Sequence, residues 1–407
     1  MANPRFAPEF QLKIGGETIP ALLRASITAI SYQGGLEGAD RVELSLANEN
    51  LRWLDHKLLA LDNKLELHMG YAPDPLVKIF VGEIVSQDAS FPSGGMPTLT
   101  IAAQDRLHRL QKGARVRWFA IPVPTFGNFP IPDYPGVIDM VAVENSLIPI
   151  VDPVGAALAA LIGGIDTIAA VKEPEQAQRL IRKQIGESDF DFLKRISGDM
   201  GWEMFVDHSG ALGGYQLQFM SPLDHLSADV TLKYGRSLID FTPRISNVGQ
   251  IAGVSVRLWQ PDVKMEFTIT ASWDWDRQSL NLSISPGYGV STGVSTSEAT
   301  VTLVDEPATL TSAPRVILGR LIPKLNQRLT GSGSTIGNPR IRVGSVLRLE
   351  GLGEEFGGLY RVTSVTHTID GGGYRTSFEV RKEIWFGSIP LPTQGAIPVR
   401  VQEQSLA

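Results

Sequence analysis

Residues 337–381 alternate so regularly that an antiparallel sheet is the structure they fit. Val343, Ser345, Leu347 and Leu349 share one parity, with Arg348 and Glu350 on the other. Glycines 351, 353, 357 and 358 bracket a turn, and a Val- and Thr-rich run follows to Ile369. Asp370-Gly371-Gly372-Gly373 supplies the positive-φ residues of a tight hairpin. Tyr374, Thr376, Phe378 and Val380 then alternate with Arg375, Ser377, Glu379 and Arg381. Successive strand side chains point to opposite faces, so this pattern predicts a three-stranded meander with one dry face. Its middle strand changes phase: Tyr360 and Val362 lie on one parity, Val365 and Ile369 on the other. A bulge near Thr363 is therefore expected, bending the sheet as small barrels require.

The N-terminal region follows the same pattern more loosely. Residues 10–14, 25–32, 42–46, 65–69, 79–85 and 99–103 read as short strands parted by Gly and Pro turns, with a helix at 105–112. That density of short strands predicts a small antiparallel barrel. Residues 114–176 are an apolar, proline-rich insertion, and 154–171 within it are almost wholly apolar. Asp166, Gly163-Gly164 and the short length argue against a membrane span and for a helix buried on a partner, with Leu158 and Leu161 as contacts. Ser188-Asp189-Phe190-Asp191 opens a capped helix that Gly201 ends, followed by a hairpin around Ser209-Gly210.

The fold class expected is mainly β: two small antiparallel β-barrels joined by an α+β domain. The first barrel takes residues 1–113, the insertion 114–176 and the α+β module 177–226. The second barrel takes 227–272 and 312–390, interrupted by an excursion at 273–311, with an amphipathic helix opening at Ser312. Residues 391–407 form an extended tail, in which Ile397, Val399 and Val401 alternate with Pro398, Arg400 and Gln402. With no strand neighbour expected in its own chain, this tail is read as adding to a sheet edge of another protein.

Composition excludes several functions. With no cysteine, thiolate metal sites, disulfides and cysteine nucleophiles are absent. A net charge of −6 opposes sequence-independent nucleic-acid binding, which needs clustered cations. Met1-Ala2-Asn3-Pro4 lacks a basic segment before an apolar core, so no secretion signal is expected.

Chemical motifs are present only in outline. Gly289-Val290-Ser291-Thr292-Gly293 spells a nucleophile elbow, but its surroundings read β rather than strand–turn–helix. The six histidines lack metal-ligand spacing, and His367 reads as a sheet residue. Asp189 with Asp191, or Glu354 with Glu355, are adjacent in sequence, whereas glycosidase carboxylates face each other across a cleft. No catalytic residue, cofactor or metal is expected, and the chain reads as a non-enzyme. The alternative is a carbohydrate-binding or glycan-cleaving β protein of the cell wall, using Trp273, Trp275 and acidic residues.

The run 187–195 with Gly201-Trp202, the segments 238–244 and 249–254, and the stretch from Ile341 through 358–362 to His367 and Gly373-Tyr374 together resemble the phage late control protein D family. These are baseplate hub proteins of contractile tails, similar to the hub part of VgrG. The likeness covers about 10–113 and 177–385. It implies a homotrimer whose paired barrels form a pseudo-sixfold ring, matching a sixfold tail tube to a threefold spike. It implies as partners a spike protein, a tail tube or tube-initiator protein and baseplate wedge proteins. It places the chain in a virion or injection-particle baseplate assembled in the bacterial cytoplasm. The insertion at 114–175 departs from the family pattern, and the absence of spike or lysozyme sequence after residue 390 leads us to expect those as separate chains.

Overall fold

The computed structural model describes residues 7–123, 127–131, 134–153, 156–157, 159–160, 163–164, 181–221, 225–245, 253–260, 265–274, 279–286, 301–308, 323, 326–383 and 399–403. Leu158, Leu161, Ser291 and Ile397 lie outside these residues, as does nearly all of the helix expected from Ser312.

Strands β1 (Ala7–Ile14), β2 (Glu17–Thr18), β3 (Ile27–Gly35), β4 (Arg41–Ala47), β5 (Lys64–Ala72), β6 (Val77–Ser90) and β7 (Thr98–Gln104) pair antiparallel in the order β3-β4-β7-β6-β5-β1-β2. Alternation explains their burial. In β4, Val42, Leu44 and Leu46 are buried between half-exposed neighbours, and Leu65, Leu67 and Met69 do the same in β5. A short helix α1 (Ala21–Ser26) precedes β3, and α2 (Leu107–Leu110) follows β7 at the position expected.

A middle unit follows, made of β8 (Arg115–Val123), β9 (Gly127–Pro130), α3 (Tyr134–Glu144), β10 (Ile148–Val151), β11 (Arg182–Glu187), α4 (Asp189–Asp199), β12 (Glu203–Asp207) and β13 (Gln216–Met220). Its strands form two three-stranded sheets, β11-β8-β9 and β10-β13-β12. The cap was legible: Ser188 Oγ accepts the Asp191 N–H at 3.1 Å and donates to the Asp191 carboxylate at 2.6 Å. So was the β12–β13 hairpin. Residues 114–176 supply β8 as partner of β11, β10 as parallel partner of β13, and α3 to the same apolar core as Phe192, Leu193 and Ile196. Stretches 156–157, 159–160 and 163–164 are helical, with Ala159 buried in that core. Among the described residues, no helix is long and apolar enough to cross a membrane.

The C-terminal region contributes β14 (Val230–Lys233), β15 (Leu238–Ile245), β16 (Gly253–Gln260), β17 (Met265–Asp274), β18 (Ser279–Pro286), β19 (Val301–Ala308), β20 (Leu329–Ile336), β21 (Val346–Glu350), the short helix α5 (Gly353–Phe356), β22 (Gly358–Asp370), β23 (Gly373–Arg381) and β24 (Val399–Glu403). The meander β21-β22-β23 is present as read from the sequence. Its register shifts between Val362 and Ser364, placing the bulge at Thr363. This bulge also changes the partner of one strand edge. Before it, residues 358–361 pair with β21; after it, residues 364–369 pair with β3.

That change of partner corrects the expectation of two barrels. Among the described residues, β15-β20-β23-β22 runs directly into β3-β4-β7-β6-β5-β1-β2 as one open thirteen-stranded sheet, with β14 and β21 alongside. A single apolar cluster lines both halves, from Leu12, Leu44 and Leu67 to Leu347, Val362 and Phe378. Alternation specifies which face of a strand is dry; it does not specify where a sheet stops. The composition of the second barrel is corrected too. β16 to β19 leave the large sheet and build a separate five-stranded sheet, β19-β16-β17-β18-β24.

The tail is a strand, as its alternation implies, but it pairs in parallel with β18 of its own chain, Val399 beside Leu280 and Val401 beside Leu282. The expectation that it lacks a neighbour in its own chain is overturned. An open edge left by residues 279–286, distant in sequence, satisfies its backbone.

Candidate functional site

Two buried polar clusters fix the middle unit against the large sheet. The first centres on His208, just after β12. The backbone N–H of Val81 donates to His208 Nδ1 at 3.1 Å. A backbone amide can only donate, so Nδ1 carries the lone pair and Nε2 the proton. Nε2 in turn lies 3.0 Å from Asp40 Oδ2, which also accepts the Tyr32 hydroxyl at 2.7 Å. Asp105 lies 3.9 Å from Nε2 and accepts the N–H groups of Asp40 and Leu107. Burial, then the neighbouring Asp40 charge, holds the Asp105 carboxyl well above the usual range; the same causes, in the same order, raise the Tyr32 phenol.

Asp40, Asp105 and His208 bring three potential ligand atoms within 4.8 Å of one another, a spacing a metal ion could use. The tautomer opposes that use. Ligation through Nε2 needs its lone pair, which moves the proton to Nδ1, facing the Val81 N–H. The arrangement fits a proton-bearing clasp.

The second cluster joins β12 and β13 to the C-terminal half. Arg361 is fully buried. Its Nε donates to Glu383 at 2.8 Å, and its terminal nitrogen donates to the Gly344 carbonyl at 3.1 Å and reaches Met220 Sδ at 3.2 Å. Arg381 donates to Glu383 at 2.8 Å and bonds Glu203 of β12. Two clefts border these clusters. One of about 250 Å³ lies among Tyr32, Phe205, Phe219, Arg342 and Asp229. The other, of about 960 Å³, is lined by Trp202, Met204, Arg244, Gly331 and Glu379.

Asp189 is consumed structurally. It is buried against Arg117 at 2.7 Å, Gln184 at 2.9 Å and Asn145 at 2.9 Å, while Asp191 closes the helix cap. His367 lies in the core as its strand position suggested. Trp273 falls in β17, and Trp275 lies outside the described residues. Of the partner-binding residues read from the sequence, Val399 and Val401 fall in β24, while Leu158, Leu161 and Ile397 lie outside the described residues.

Sequence reasoning missed His208, Arg361 and the surface of β8. A signal for the last was present: Val116, Trp118 and Ala120 alternate with Arg115, Arg117 and Phe119. On the inner face Phe119 stacks on Phe192 at 5.0 Å. On the outer face Val116 and Trp118 are 62% and 60% exposed, and Ile185, opposite Val116, is 66% exposed.

A large antiparallel sheet broken by an α+β unit is the architecture of several tail proteins. The 43 kDa tail protein of prophage MuSo2 from Shewanella oneidensis shares it over 92% of this chain and 98% of that one, at TM-score 0.59 and 13% identity. A tail protein from Neisseria meningitidis MC58 matches over 93% and 97%, at TM-score 0.56 and 10% identity. The E. coli c3393 protein, a component of the type VI secretion system with structural similarity to T4 tail proteins gp27 and gp5, matches over 95% and 80%, at TM-score 0.55 and 12% identity. The chain thus has the mainly-β fold of these tail and injection-related proteins. Residues 160–371, just over half of the chain, match the Alg8 N-terminal domain family, and the chain belongs to that family. No curated protein matches the sequence.

Proposed function

We propose that the chain is the structural hub of a contractile phage tail or related injection particle. As a homotrimer it adapts a sixfold tail tube to a threefold spike. The observation that carries this reading is the end-to-end likeness to the MuSo2 tail protein, which includes the middle unit as well as the large sheet. Two clusters of buried charge, around His208 and Arg361, tie the middle unit to both halves of that sheet, as an adapter between tube and spike requires. Tube or tube-initiator, spike and wedge proteins are the partners this role requires. The segment carrying Leu158 and Leu161 is assigned to one of these assembly contacts.

In this role the chain performs no hydrolysis. Ser291→Ala and Glu354→Ala are expected to leave any lytic activity of the particle unchanged. Light scattering of the chain alone and with its spike tests the assembly: a mass of three chains in either condition supports the hub, and one chain in both removes it.

A further inference from the structure

The turn between β12 and β13 is pressed onto β6. A Cβ at Gly214 would lie 2.4 Å from the Val81 side chain, so the turn meets that strand with bare backbone. His208 sits at the same contact, buried, its ring 5.2 Å from that of Phe80 and 6.3 Å from that of Tyr32. Through its two nitrogens it holds two other segments at once, the Val81 N–H at Nδ1 and the Asp40 carboxylate at Nε2.

Those two bonds need one protonation state. A neutral ring with its proton on Nε2 makes both. An imidazolium carries a proton on each nitrogen, so its Nδ1–H would face the Val81 N–H, and neither can accept. The bond to Asp40 survives, since Nε2 donates in both states, and it becomes charge-assisted at both ends. Protonation therefore acts on the two bonds in opposite senses, breaking the one to β6 and tightening the one to the β3–β4 connection.

The surroundings leave the ring somewhere to go. β3 brings Tyr32 and the β3–β4 connection Asp40, while Asp105 follows β7, with His108 of α2 against its carbonyl. β6 brings the Val81 amide and the Phe80 ring, and its Glu83 is engaged by Arg109. The adjoining cleft of about 250 Å³ is bordered by Asp152, Asp207, Arg342 and the His225–Asp229 pair. A displaced Nδ1–H can meet water or a carboxylate there, which it cannot do against Val81.

We propose that His208 is a protonation-released latch: on acidification Nδ1 gains a proton, the bond to Val81 is lost, and the β12–β13 turn lifts from β6 while Asp40 keeps it tethered. The device is built into the contact between the middle unit and the large sheet and does not depend on the hub reading.

The test is hydrogen exchange of the full chain followed by mass spectrometry at about pH 7.5 and about pH 5, corrected for the intrinsic pH dependence of exchange. In the wild type, peptides spanning 76–84 and 203–216 should lose about tenfold in protection at the lower pH, the scale set by one buried hydrogen bond. Peptides from the β22–β23 meander should change less and serve as the reference for global loosening. His208→Gln offers both an acceptor and a donor from one amide and cannot titrate, so the local change should vanish; near-ultraviolet circular dichroism checks that this variant is folded. Should it not fold, the wild-type comparison between the two peptides and the meander decides alone. The latch is overturned if the two segments keep their protection at the lower pH, if they loosen only in step with the meander, or if folded His208→Gln loosens as the wild type does.

Discussion

Acid should weaken this fold through one residue, His367. It is fully buried in β22, with Nε2 donating to the Ile341 carbonyl at 3.0 Å and the Tyr374 and Thr376 hydroxyls each 2.9 Å from Nδ1. Burial, only partly offset by the Ile341 carbonyl, lowers its pKa from 6.5 to about 4. The unfolded chain therefore binds a proton between those values that the folded chain refuses. Stability from this group is complete above the unfolded pKa and drains away as pH falls through the window. At about 1.4 kcal/mol per pH unit, the full loss is on the order of 3 kcal/mol. Urea unfolding at about pH 7.5 and about pH 4.5, for wild type and for His367→Gln, isolates the effect, because other acid-sensitive groups are common to both. The wild type should lose about 2–3 kcal/mol more than the variant between the two conditions. Equal losses would refute the reasoning.

Three further perturbations probe the architecture. Arg361→Met leaves Glu383 with Arg381 as its remaining cation and should cost about 3 kcal/mol by denaturant unfolding; a neutral result would mean the cluster around Arg361 contributes little. Gly82→Ala would place a Cβ 2.2 Å from the Gln104 carbonyl and 2.4 Å from the Phe80 ring, so it should cost about 2 kcal/mol or more, read as a lowered thermal midpoint. A chain ending at Gly387 loses β24 and exposes the edge of β18; under the hub reading it still trimerises but binds its spike less tightly by calorimetry, and unchanged affinity would limit the tail to an intramolecular strand.

Local order was legible in the residues themselves. The meander, the Asp370–Gly373 turn and the Thr363 bulge all follow from parity and glycine placement, and the Ser188 cap from short-range hydrogen bonding. These features depend on neighbours a few positions apart, whose geometry the backbone dictates. Pairing between distant segments was beyond reach. Nothing in β8 names β11 as its partner, and nothing in β22 announces that it will join β3 beyond the bulge. The tail shows the same limit: its alternation specifies a strand, while the open edge of β18 decides which strand it meets.

The buried charges belong to the same class. His208 becomes a clasp because Val81 and Asp40 arrive from other elements, and Arg361 is satisfied by Glu383, Gly344 and Met220. From sequence alone, each is an ordinary polar residue in or beside a strand. A strand's face is determined by the period of its own side chains. Its partner is determined by which remote edge removes the most apolar surface from water while satisfying the backbone, and only the folded chain decides that.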